Sequence, residues 1–359
     1  MKYYMPVKVF DEDECVAAHA GDIAALGSSA LIVTGKRSAK LNGSFDDLVA
    51  ALDGKGIKYQ VFSDVEENPS TDTIFAARDA FAQTGIDLVI GVGGGSPMDA
   101  AKAIALVLYH PEADLDYLYD KSRSSSALPV VCIPTTCGTG SEVTGVSVLT
   151  RHDKKTKISM VHKVFPSLAL IDGKYLASAP MTLIVNSSVD ALAHLLESAL
   201  NSKADDYVKM TAKAGLGLWA RTKDILEGKR EPQKEDLALL MRSSAMAGMS
   251  IAQSGTSIPH ALSYSLTYHL GLPHGKAVGH FLPAFLEAAP KDQRDELVDL
   301  AGFSGLDDLT SFIRTNLDTA GIPQDELIRS YEAVKSNPAK MNSASFPVDE
   351  NILKKIAGV

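Results

Sequence analysis

The sequence predicts two domains of different class: an α/β domain with a parallel sheet over residues 1–176, followed by an all-helical domain over residues 177–359. In the first half, short apolar runs alternate with helix-forming stretches, which is typical of parallel strands joined by crossover helices. From about Thr182 onward, apolar residues recur at helical spacing and few strand-like runs remain. The change of pattern places the boundary near residues 172–181.

The elements of the first half follow in order along the chain. Four strands are predicted from apolar runs rich in β-branched residues; these are ALIVT (30–34), IKYQVF (57–62), DLVIGV (87–92) and LPVVCIP (128–134). Between them, SFDDLVAALDGKG and STDTIFAARDAFAQTG each begin with a serine that can cap a helix and end on glycine. The later stretch VSVLTRHDKKTKISMVHKVFPSLALID predicts a hairpin and then one more strand.

Composition restricts the class of partner. The 359 residues carry a formal net charge of -9 with no long run of lysine or arginine, which argues against nucleic acid and membrane and favours a small molecule. Cys15, Cys132 and Cys137 form no C-x-x-C pair, so a disulfide framework or a cysteine metal site is not indicated. The N-terminus lacks a signal-peptide core, and no apolar stretch is long enough to span a bilayer. We therefore expect a soluble, cytoplasmic protein of enzyme size.

The segment GVGGGSPMDAAKAIA (91–105) is a strand end, a glycine turn and the start of a helix. Glycines let several backbone N–H groups approach an anion, and the helix N-terminus adds a partial positive charge. A phosphate or pyrophosphate is the expected occupant. The spacing matches neither G-x-G-x-x-G nor the P-loop pattern, and a tight turn without a ligand is the alternative.

A second loop rich in small residues, IPTTCGTGSEVTG (133–145), also follows a predicted strand. Beside Gly138 and Gly140 it offers the hydroxyl groups of four residues, which are Thr135, Thr136, Thr139 and Ser141. Two such loops at neighbouring strand ends predict a dinucleotide cleft. Taken alone, this loop is equally consistent with a polar turn leading into a hairpin.

The helical half contains candidate metal ligands. In SSVDALAHLLESAL, Asp190 and His194 lie four residues apart and share one helix face, with Glu197 a turn further along. His260 and His274 lie in apolar, glycine-bearing surroundings. Singly, these residues are more often a local ion pair or core histidines. Together, one carboxylate and three imidazoles suit a divalent first-row metal such as iron, zinc, nickel or copper. His269 and His280 lie close enough in sequence to be candidate hydrogen-bond partners of these ligands.

Five segments together resemble the iron-containing (group III) alcohol dehydrogenases, which are related in fold to glycerol dehydrogenase and dehydroquinate synthase. The segments are GGGSPMDAAKAIA, PTTCGTGSEVT, VDALAHLLES, IPHALSY and LPHGKAVG, in the family's order and at about its spacing. The resemblance covers nearly the whole chain. It implies a Rossmann-like dinucleotide-binding domain followed by an all-helical metal-binding domain, with Asp190, His194, His260 and His274 as the ligands of Fe²⁺, or of Zn²⁺ in its place.

The resemblance also implies the cofactor residues. Gly94, Gly95, Ser96 and Asp99 would lie at the phosphates, and Thr135, Thr136, Thr139 and Ser141 would line the nucleotide cleft. Lys157 would lie near the ribose on the nicotinamide side, with Asn68 and Pro69 in the loop beside the cofactor.

Two positions depart from the family pattern. Many alcohol-oxidising members carry a histidine four residues after the third ligand, where this chain has Tyr264, which serves either as a substitute hydroxyl or as pocket wall. NAD-preferring members tend to carry an aspartate where this chain has Gly35. The basic or hydroxyl side chains that follow would receive a 2′-phosphate and favour NADP(H) over NAD(H); they are Lys36, Arg37, Ser38 and Lys40. A solvated basic loop is the alternative.

The sequence thus predicts an oxidoreductase, an NAD(P)-dependent alcohol dehydrogenase that transfers a hydride between the nicotinamide and a small alcohol, aldehyde or ketone, with the metal as a Lewis acid. The resemblance implies a homodimer or a larger homo-oligomer. Three alternatives stay open at this point: a metal-dependent cyclase or lyase of the dehydroquinate synthase type, a metallohydrolase, and a non-catalytic nucleotide-binding protein.

Overall fold

A computed structural model describes residues 3–359 of the chain, which divide into two compact units. The sheet unit comprises Met5–Thr136 and Gly140–Ala179, and the helical unit comprises Pro180–Val359 with Cys137–Thr139 and the described N-terminal residues Tyr3 and Tyr4. The main division between the two units follows residue 179. Because Cys137–Thr139 pack with the helical unit, the division is not a single cut in the sequence.

The sheet unit contains a parallel sheet, as the sequence predicts, and this sheet has six strands. Its strands are β1 (Lys8–Asp11), β2 (Ser29–Gly35), β3 (Lys58–Val65), β4 (Leu88–Gly93), β5 (Val130–Pro134) and β8 (Leu168–Ile171), in the order β1-β8-β5-β4-β2-β3. The remaining strands, β6 (Val148–Arg151) and β7 (Thr156–Ser159), form the predicted antiparallel hairpin. Strand β1 was not predicted, because its four residues are mostly half-exposed and give no apolar run.

Helices cover both faces of this sheet. They are α1 (Cys15–Ala18), α2 (Ala20–Ala24), α3 (Ser38–Leu41), α4 (Ser44–Gly54), α5 (Thr71–Phe81) and α6 (Gly95–Tyr109), with 3-10 turns at Tyr117–Tyr119, Ser141–Val143, His152–Lys154 and Gly173–Leu176. Alternate residues of β2 point to opposite faces. Leu31 therefore packs in the same cluster as Met98 of α6, whereas Ile32 packs in the cluster of Leu48 from α4.

The strand order changes direction between β2 and β4. The chain passes from β2 to β3 at one edge and then returns to β4 on the other side of β2, from where the sheet continues through β5. Thr34 pairs with Val92, so the carboxyl ends of β2 and β4 lie side by side. Open α/β sheets bind their ligands at this kind of switch point. The predicted basic loop and the glycine turn both begin there.

The helical unit is built from helices, as predicted. They are α7 (Met181–Ala199), α8 (Asp206–Ala220), α9 (Lys223–Leu226), α10 (Lys234–Ser254), α11 (Ile258–Leu270), α12 (His274–Ala288), α13 (Lys291–Leu300), α14 (Leu306–Leu317), α15 (Gln324–Lys335), α16 (Pro338–Met341) and α17 (Glu350–Ala357). Trp219 of α8 is fully buried and donates its indole N–H to the carbonyl of Ser188, at 2.9 Å. Across residues 3–359, no helix is long and apolar enough to cross a membrane.

Candidate metal centre and dinucleotide loops

Three helices of the helical unit carry the four predicted metal ligands. Helix α7 presents Asp190 and His194 from successive turns, α11 presents His260 from its first turn, and α12 begins at His274. Asp190, His194 and His260 are buried, whereas the His274 side chain is 25% exposed. The structure therefore brings together the residues that the sequence predicts, with one side of the group accessible.

The donor atoms converge on one carboxylate oxygen. Asp190 Oδ1 lies 3.3 Å from Nε2 of His260, 3.6 Å from Nε2 of His274 and 4.0 Å from Nε2 of His194. The ligand atoms of Asp190, His260 and His274 all lie within 4.8 Å of one another, and His194 is outside this group of three. Donors around a tetrahedral metal with bonds of about 2.1 Å are about 3.4 Å apart. The donor set and its spacing therefore fit a divalent cation.

The electrostatics of the group follow from its burial. Burial by itself disfavours the ionised form of Asp190, but the surrounding imidazoles outweigh it and hold the pKa of Asp190 below its usual range. Burial also lowers the pKa of His194, which keeps that imidazole neutral and able to bind a metal. Burial disfavours the charged form of His260 as well, yet Glu197 and Asp190 raise its pKa to about 9.

The outer nitrogens of two ligands have partners that the sequence did not identify. His260 Nδ1 lies 2.5 Å from Oε1 of Glu197, and His194 Nδ1 lies 3.2 Å from the carbonyl oxygen of Gly138. The candidates proposed for this role lie elsewhere: the His269 ring contacts Tyr268, and His280 bonds to the backbone of Thr319. These partners come from distant parts of the chain, so sequence spacing gives no signal for them.

Two further residues define the surroundings of His274. Tyr264 lies one turn after His260, and its ring centroid is 6.4 Å from that of His274, with the two rings nearly parallel. Gly275 lies against α7, because a Cβ built at this glycine would be 1.8 Å from the carbonyl oxygen of Asn186. The absence of a side chain at residue 275 therefore allows α12 to approach α7 closely enough for His274 to reach Asp190.

In the sheet unit, the glycine turn is joined to the loop that contains Asn68. Strand β4 ends at Gly93, whose φ of +145° favours glycine, and α6 begins two residues later. Asn68 donates its backbone N–H to Ser96 Oγ at 3.0 Å and accepts from Lys157 Nζ on its side-chain oxygen at 2.7 Å. The structure thus brings together Asn68, Ser96 and Lys157, three of the predicted cofactor residues.

The second loop lies against the glycine turn, as two neighbouring strand ends require. Strands β4 and β5 pair in parallel, and Thr135 donates its backbone N–H to the carbonyl of Gly93 at 2.9 Å. Thr136 contacts Gly94, since a Cβ built at this glycine would lie 3.2 Å from the threonine side chain. Thr139 packs instead with the helical unit.

Asp99 is occupied by bonds within the protein. Its carboxylate accepts from Ser141 Oγ at 2.5 Å, from the backbone N–H of Val148 at 2.8 Å and from Lys102 Nζ at 3.2 Å. Lys102, which is fully buried, also donates to Ser141 Oγ and to the carbonyl of Val146. Because a carboxylate repels a phosphate, this geometry favours a role for Asp99 in holding the loop rather than in direct phosphate contact.

Glu142, next to Ser141 in this loop, supports a prediction about pH. Burial raises the pKa of Glu142 to about 7, although Lys102 opposes the rise. The folded protein keeps a proton that the unfolded chain loses between pH 4.5 and 7, so the free energy of unfolding falls as pH rises through that window. We expect Glu142→Gln to be up to about 3 kcal/mol more stable than the parent near pH 8 and similar to it near pH 5. Urea denaturation of both proteins at both pH values measures the free energies of unfolding. The same stability difference between variant and parent at the two pH values would contradict the prediction.

The basic loop follows β2. Gly35 is the last residue of the strand and is half-buried, and Lys36, Arg37 and Ser38 are exposed. Within the described part of the chain, neither Lys36 nor Arg37 forms an ion pair, whereas Lys40 lies over the ring of Phe45. The loop therefore presents two uncommitted positive charges beside the switch point.

Comparison with known proteins is consistent with this geometry. A long-chain primary alcohol dehydrogenase, AdhA from Thermoanaerobacter ethanolicus, is 32% identical over 73% of this chain, and the match spans 66% of that relative, slightly less than two thirds of its length. The NADH-dependent butanol dehydrogenase A of Clostridium acetobutylicum is 26% identical over 96% of this chain and 87% of its own. A crystal structure of an iron containing alcohol dehydrogenase is 35% identical, with a TM-score of 0.90, and covers 100% of this chain and 99% of its own.

The family match accounts for both units. The chain matches the iron-containing alcohol dehydrogenase family over residues 6–173 and the C-terminal domain of the same family over residues 184–329. A dehydrogenase therefore has stronger support than the cyclase, the hydrolase or the non-catalytic nucleotide-binding protein that the sequence left open. The convergent ligands, the switch-point loops and the two family matches agree, and the chain belongs to the iron-containing alcohol dehydrogenase family.

Proposed function

We propose that the protein is a metal-dependent alcohol dehydrogenase that uses NADP(H) in preference to NAD(H) and interconverts a small alcohol with its aldehyde or ketone. The observation that carries the proposal is the convergence of three imidazole Nε2 atoms on Asp190 Oδ1 in a member of this family. When bound, a divalent cation supplies a Lewis acid that stabilises negative charge on the substrate oxygen. Fe²⁺ is our first choice because of the family, and Zn²⁺ is the second because the donor set suits both ions.

The residues of the helical unit have separate tasks in this proposal. Asp190, His194, His260 and His274 hold the cation, and the single carboxylate among them leaves it with a net positive charge. The partly exposed side chain of His274 marks the accessible side of the group, where a substrate oxygen would approach. The buried Cys137 thiol is not a nucleophile, because burial raises its pKa and its sulfur contacts Ser187 and Ser188.

The residues of the sheet unit hold the dinucleotide in this proposal. Gly94, Gly95 and Ser96 receive the pyrophosphate at the N-terminus of α6, where the helix supplies N–H groups and a positive dipole end. The Asn68 N–H occupies a lone pair of the Ser96 hydroxyl, which leaves the Ser96 O–H available to a phosphate oxygen. The further predicted contacts of the dinucleotide are Thr135, Thr136, Thr139 and Ser141 for the cleft and Lys157 for the ribose.

An assay of NADPH oxidation tests the proposed reaction. The purified protein, stripped with a chelator and reloaded with Fe²⁺ or Zn²⁺, is mixed with NADPH and a panel of short aldehydes and ketones, and the loss of NADPH absorbance is followed. We expect turnover that depends on added metal. A protein that binds both metal and NADPH but oxidises no NADPH with any carbonyl compound would contradict the proposed reaction.

The choice of cofactor gives a sharper prediction at Gly35. A Cβ at this residue would be 3.7 Å from the carbonyl of Val65, an ordinary contact, so an aspartate fits. Its carboxylate would repel a 2′-phosphate and accept a hydrogen bond from a 2′-hydroxyl. In the parent, Lys36 and Arg37 instead favour the 2′-phosphate. We expect the parent to prefer NADPH about tenfold to hundredfold in kcat/KM, and Gly35→Asp to reduce or reverse this preference.

Gly35→Asn is the matched control, because it adds nearly the same volume without the charge. It should keep most of the preference for NADPH. The NADH-dependent relative from Clostridium acetobutylicum shows that the family name does not decide this question. Equal kcat/KM values for NADH and NADPH in the parent, unchanged in Gly35→Asp, would mean that the basic loop only faces solvent.

We also propose that the protein acts in the cytoplasm as a homodimer or a larger homo-oligomer. The absence of any C-x-x-C pair among its three cysteines, all of which are free and buried, supports the reducing compartment. Size-exclusion chromatography with light scattering measures the oligomeric state.

A further inference from the structure

Glu197 is a carboxylate in an unfavourable place. It has no exposed surface, and it lies two residues before the C-terminal end of α7, where the helix dipole disfavours negative charge. A buried carboxylate is costly unless hydrogen bonds replace its water. Both of its oxygens have such a bond: Oε2 accepts the backbone N–H of Ser257 at 2.6 Å, and Oε1 lies 2.5 Å from Nδ1 of His260.

The segment after α16 is bonded to residues near Glu197 in the sequence and to its partner Ser257. Ser343 accepts the backbone N–H of Ser202, just beyond the end of α7, at 2.8 Å, and its hydroxyl lies 2.9 Å from that of Ser257. Ser345 donates its backbone N–H to the carbonyl of Leu200 at 2.7 Å. Lys340, in the preceding helix, supplies a positive charge that interacts with Glu197. Both oxygens of the Glu197 carboxylate are thus held, one by the backbone N–H of Ser257 and the other by His260.

This geometry decides which nitrogen of His260 carries a proton. An ionised carboxylate only accepts hydrogen bonds, so the imidazole nitrogen that faces Oε1 must donate. In the neutral form of His260, which is the form that binds a metal, Nδ1 therefore carries the single proton and Nε2 is the nitrogen directed at Asp190. His194 is held in the same sense by the carbonyl of Gly138, which is a neutral acceptor. Of these two ligands, only His260 has a carboxylate as the partner of its Nδ1.

We propose that Glu197 is a positioning residue of the metal centre, which fixes the Nδ1–H tautomer of His260 and presents its Nε2 lone pair to the cation. The inference rests on the proposed metal site. A carboxylate behind a ligating histidine also makes the imidazole a more basic ligand. The hydrogen bond from the backbone N–H of Ser257 keeps the carboxylate facing the ring of His260. The ring is therefore already oriented for metal binding.

Glu197→Gln tests the proposal, because an amide of the same shape has one acceptor where the carboxylate has two. If the amide oxygen stays on the backbone N–H of Ser257, its NH₂ group faces Nδ1 of His260 and favours the tautomer with the proton on Nε2. We expect the Kd for Zn²⁺, measured by competition with a chromophoric chelator, to rise about 10- to 100-fold. Glu197→Asp, which keeps the charge on a shorter side chain, should give a Kd between those of Glu197→Gln and the parent.

The matched control is Glu326→Gln, a change at another buried carboxylate of the helical unit, paired with Arg329 rather than with a ligand. It should bind Zn²⁺ with the Kd of the parent. A purely structural role for Glu197 would lower the resistance of the metal-free protein to urea and leave the Kd of the folded variant within about twofold of the parent, since a tenfold change needs about 1.4 kcal/mol. That result would overturn the proposal.

A second measurement does not depend on the variants folding. In a crystal structure of the parent loaded with Zn²⁺, we expect His260 to bind the metal through Nε2 with Nδ1 still bonded to Glu197. Binding through Nδ1, or a Glu197 side chain turned away from the ring, would overturn the inference. A parent protein that binds no Zn²⁺ in the competition assay would overturn the proposed metal site itself, which separates the two failures.

Discussion

Replacing His260 with alanine should remove the bound metal and abolish turnover while leaving the affinity for NADPH within about twofold of the parent. The change deletes a central donor of the group, 3.3 Å from Asp190 Oδ1, and leaves Glu197 buried without its histidine. We expect metal affinity to fall by roughly two orders of magnitude or more, since each 1.4 kcal/mol of lost binding free energy is about tenfold. Elemental analysis after gel filtration measures the metal content, and fluorescence titration with NADPH measures the affinity for the cofactor.

The control for this prediction lies on the same helix. His269→Ala removes an imidazole near the C-terminal end of α11 whose ring contacts Tyr268, so its metal content and turnover should match those of the parent. Full metal occupancy in His260→Ala would show that this residue is not a ligand. Parallel loss of NADPH binding would show instead that the substitution had disturbed the whole fold.

Alanine at residue 275 should have the second large effect. Its Cβ would be 1.8 Å from a backbone carbonyl oxygen of α7, and neither helix backbone can yield without moving the ligands that it carries. Overpacking of this kind lowers the free energy of unfolding by about 1–3 kcal/mol. We expect the upper end of this range here, because the obstructing atom belongs to the backbone. We expect Gly275→Ala to lose about 3 kcal/mol of stability in urea and, because His274 is displaced, most of its affinity for Zn²⁺.

Gly217→Ala is the matched control, since it is the same substitution within another helix of the helical unit, at a site with nothing within 4 Å of the new methyl group. Alanine in an unobstructed helical position should add up to about 1 kcal/mol of stability. If Gly275→Ala were as stable as Gly217→Ala and bound Zn²⁺ normally, the close approach of α12 to α7 would have no role in forming the centre.

The residues that sequence patterns identified are those whose signal is local. The strands β2 and β4 are short apolar runs, and Asp190 and His194 share a helix face at a spacing that is visible in the sequence. Strand β1 gave no such signal, because an edge strand of four half-exposed residues exists only through its pairing with β8. Local pattern therefore predicted the class of each unit and the position of its main elements.

Interactions between distant segments explain what the sequence did not predict. Glu197 was placed on the correct helix without a role, because its partner is 63 residues away and reaches it only when α7 and α11 pack together. The same holds for Asp99, whose carboxylate is bound by a loop more than 40 residues further along. Tertiary contacts of this kind decide whether a charged side chain faces a ligand or another part of the protein.

The assignment of Cys137–Thr139 to the helical unit has a consequence for dissecting the enzyme into fragments. A recombinant fragment that begins at Pro180 would contain all four histidine and aspartate side chains of the centre, but it would lack the Gly138 carbonyl that holds His194. The ring of His194 would then be free to rotate about its side-chain torsions, and the vacated space beside Ser187 would admit solvent. A self-sufficient metal-binding module therefore has to include this tripeptide, for example through a circular permutation or a grafted loop.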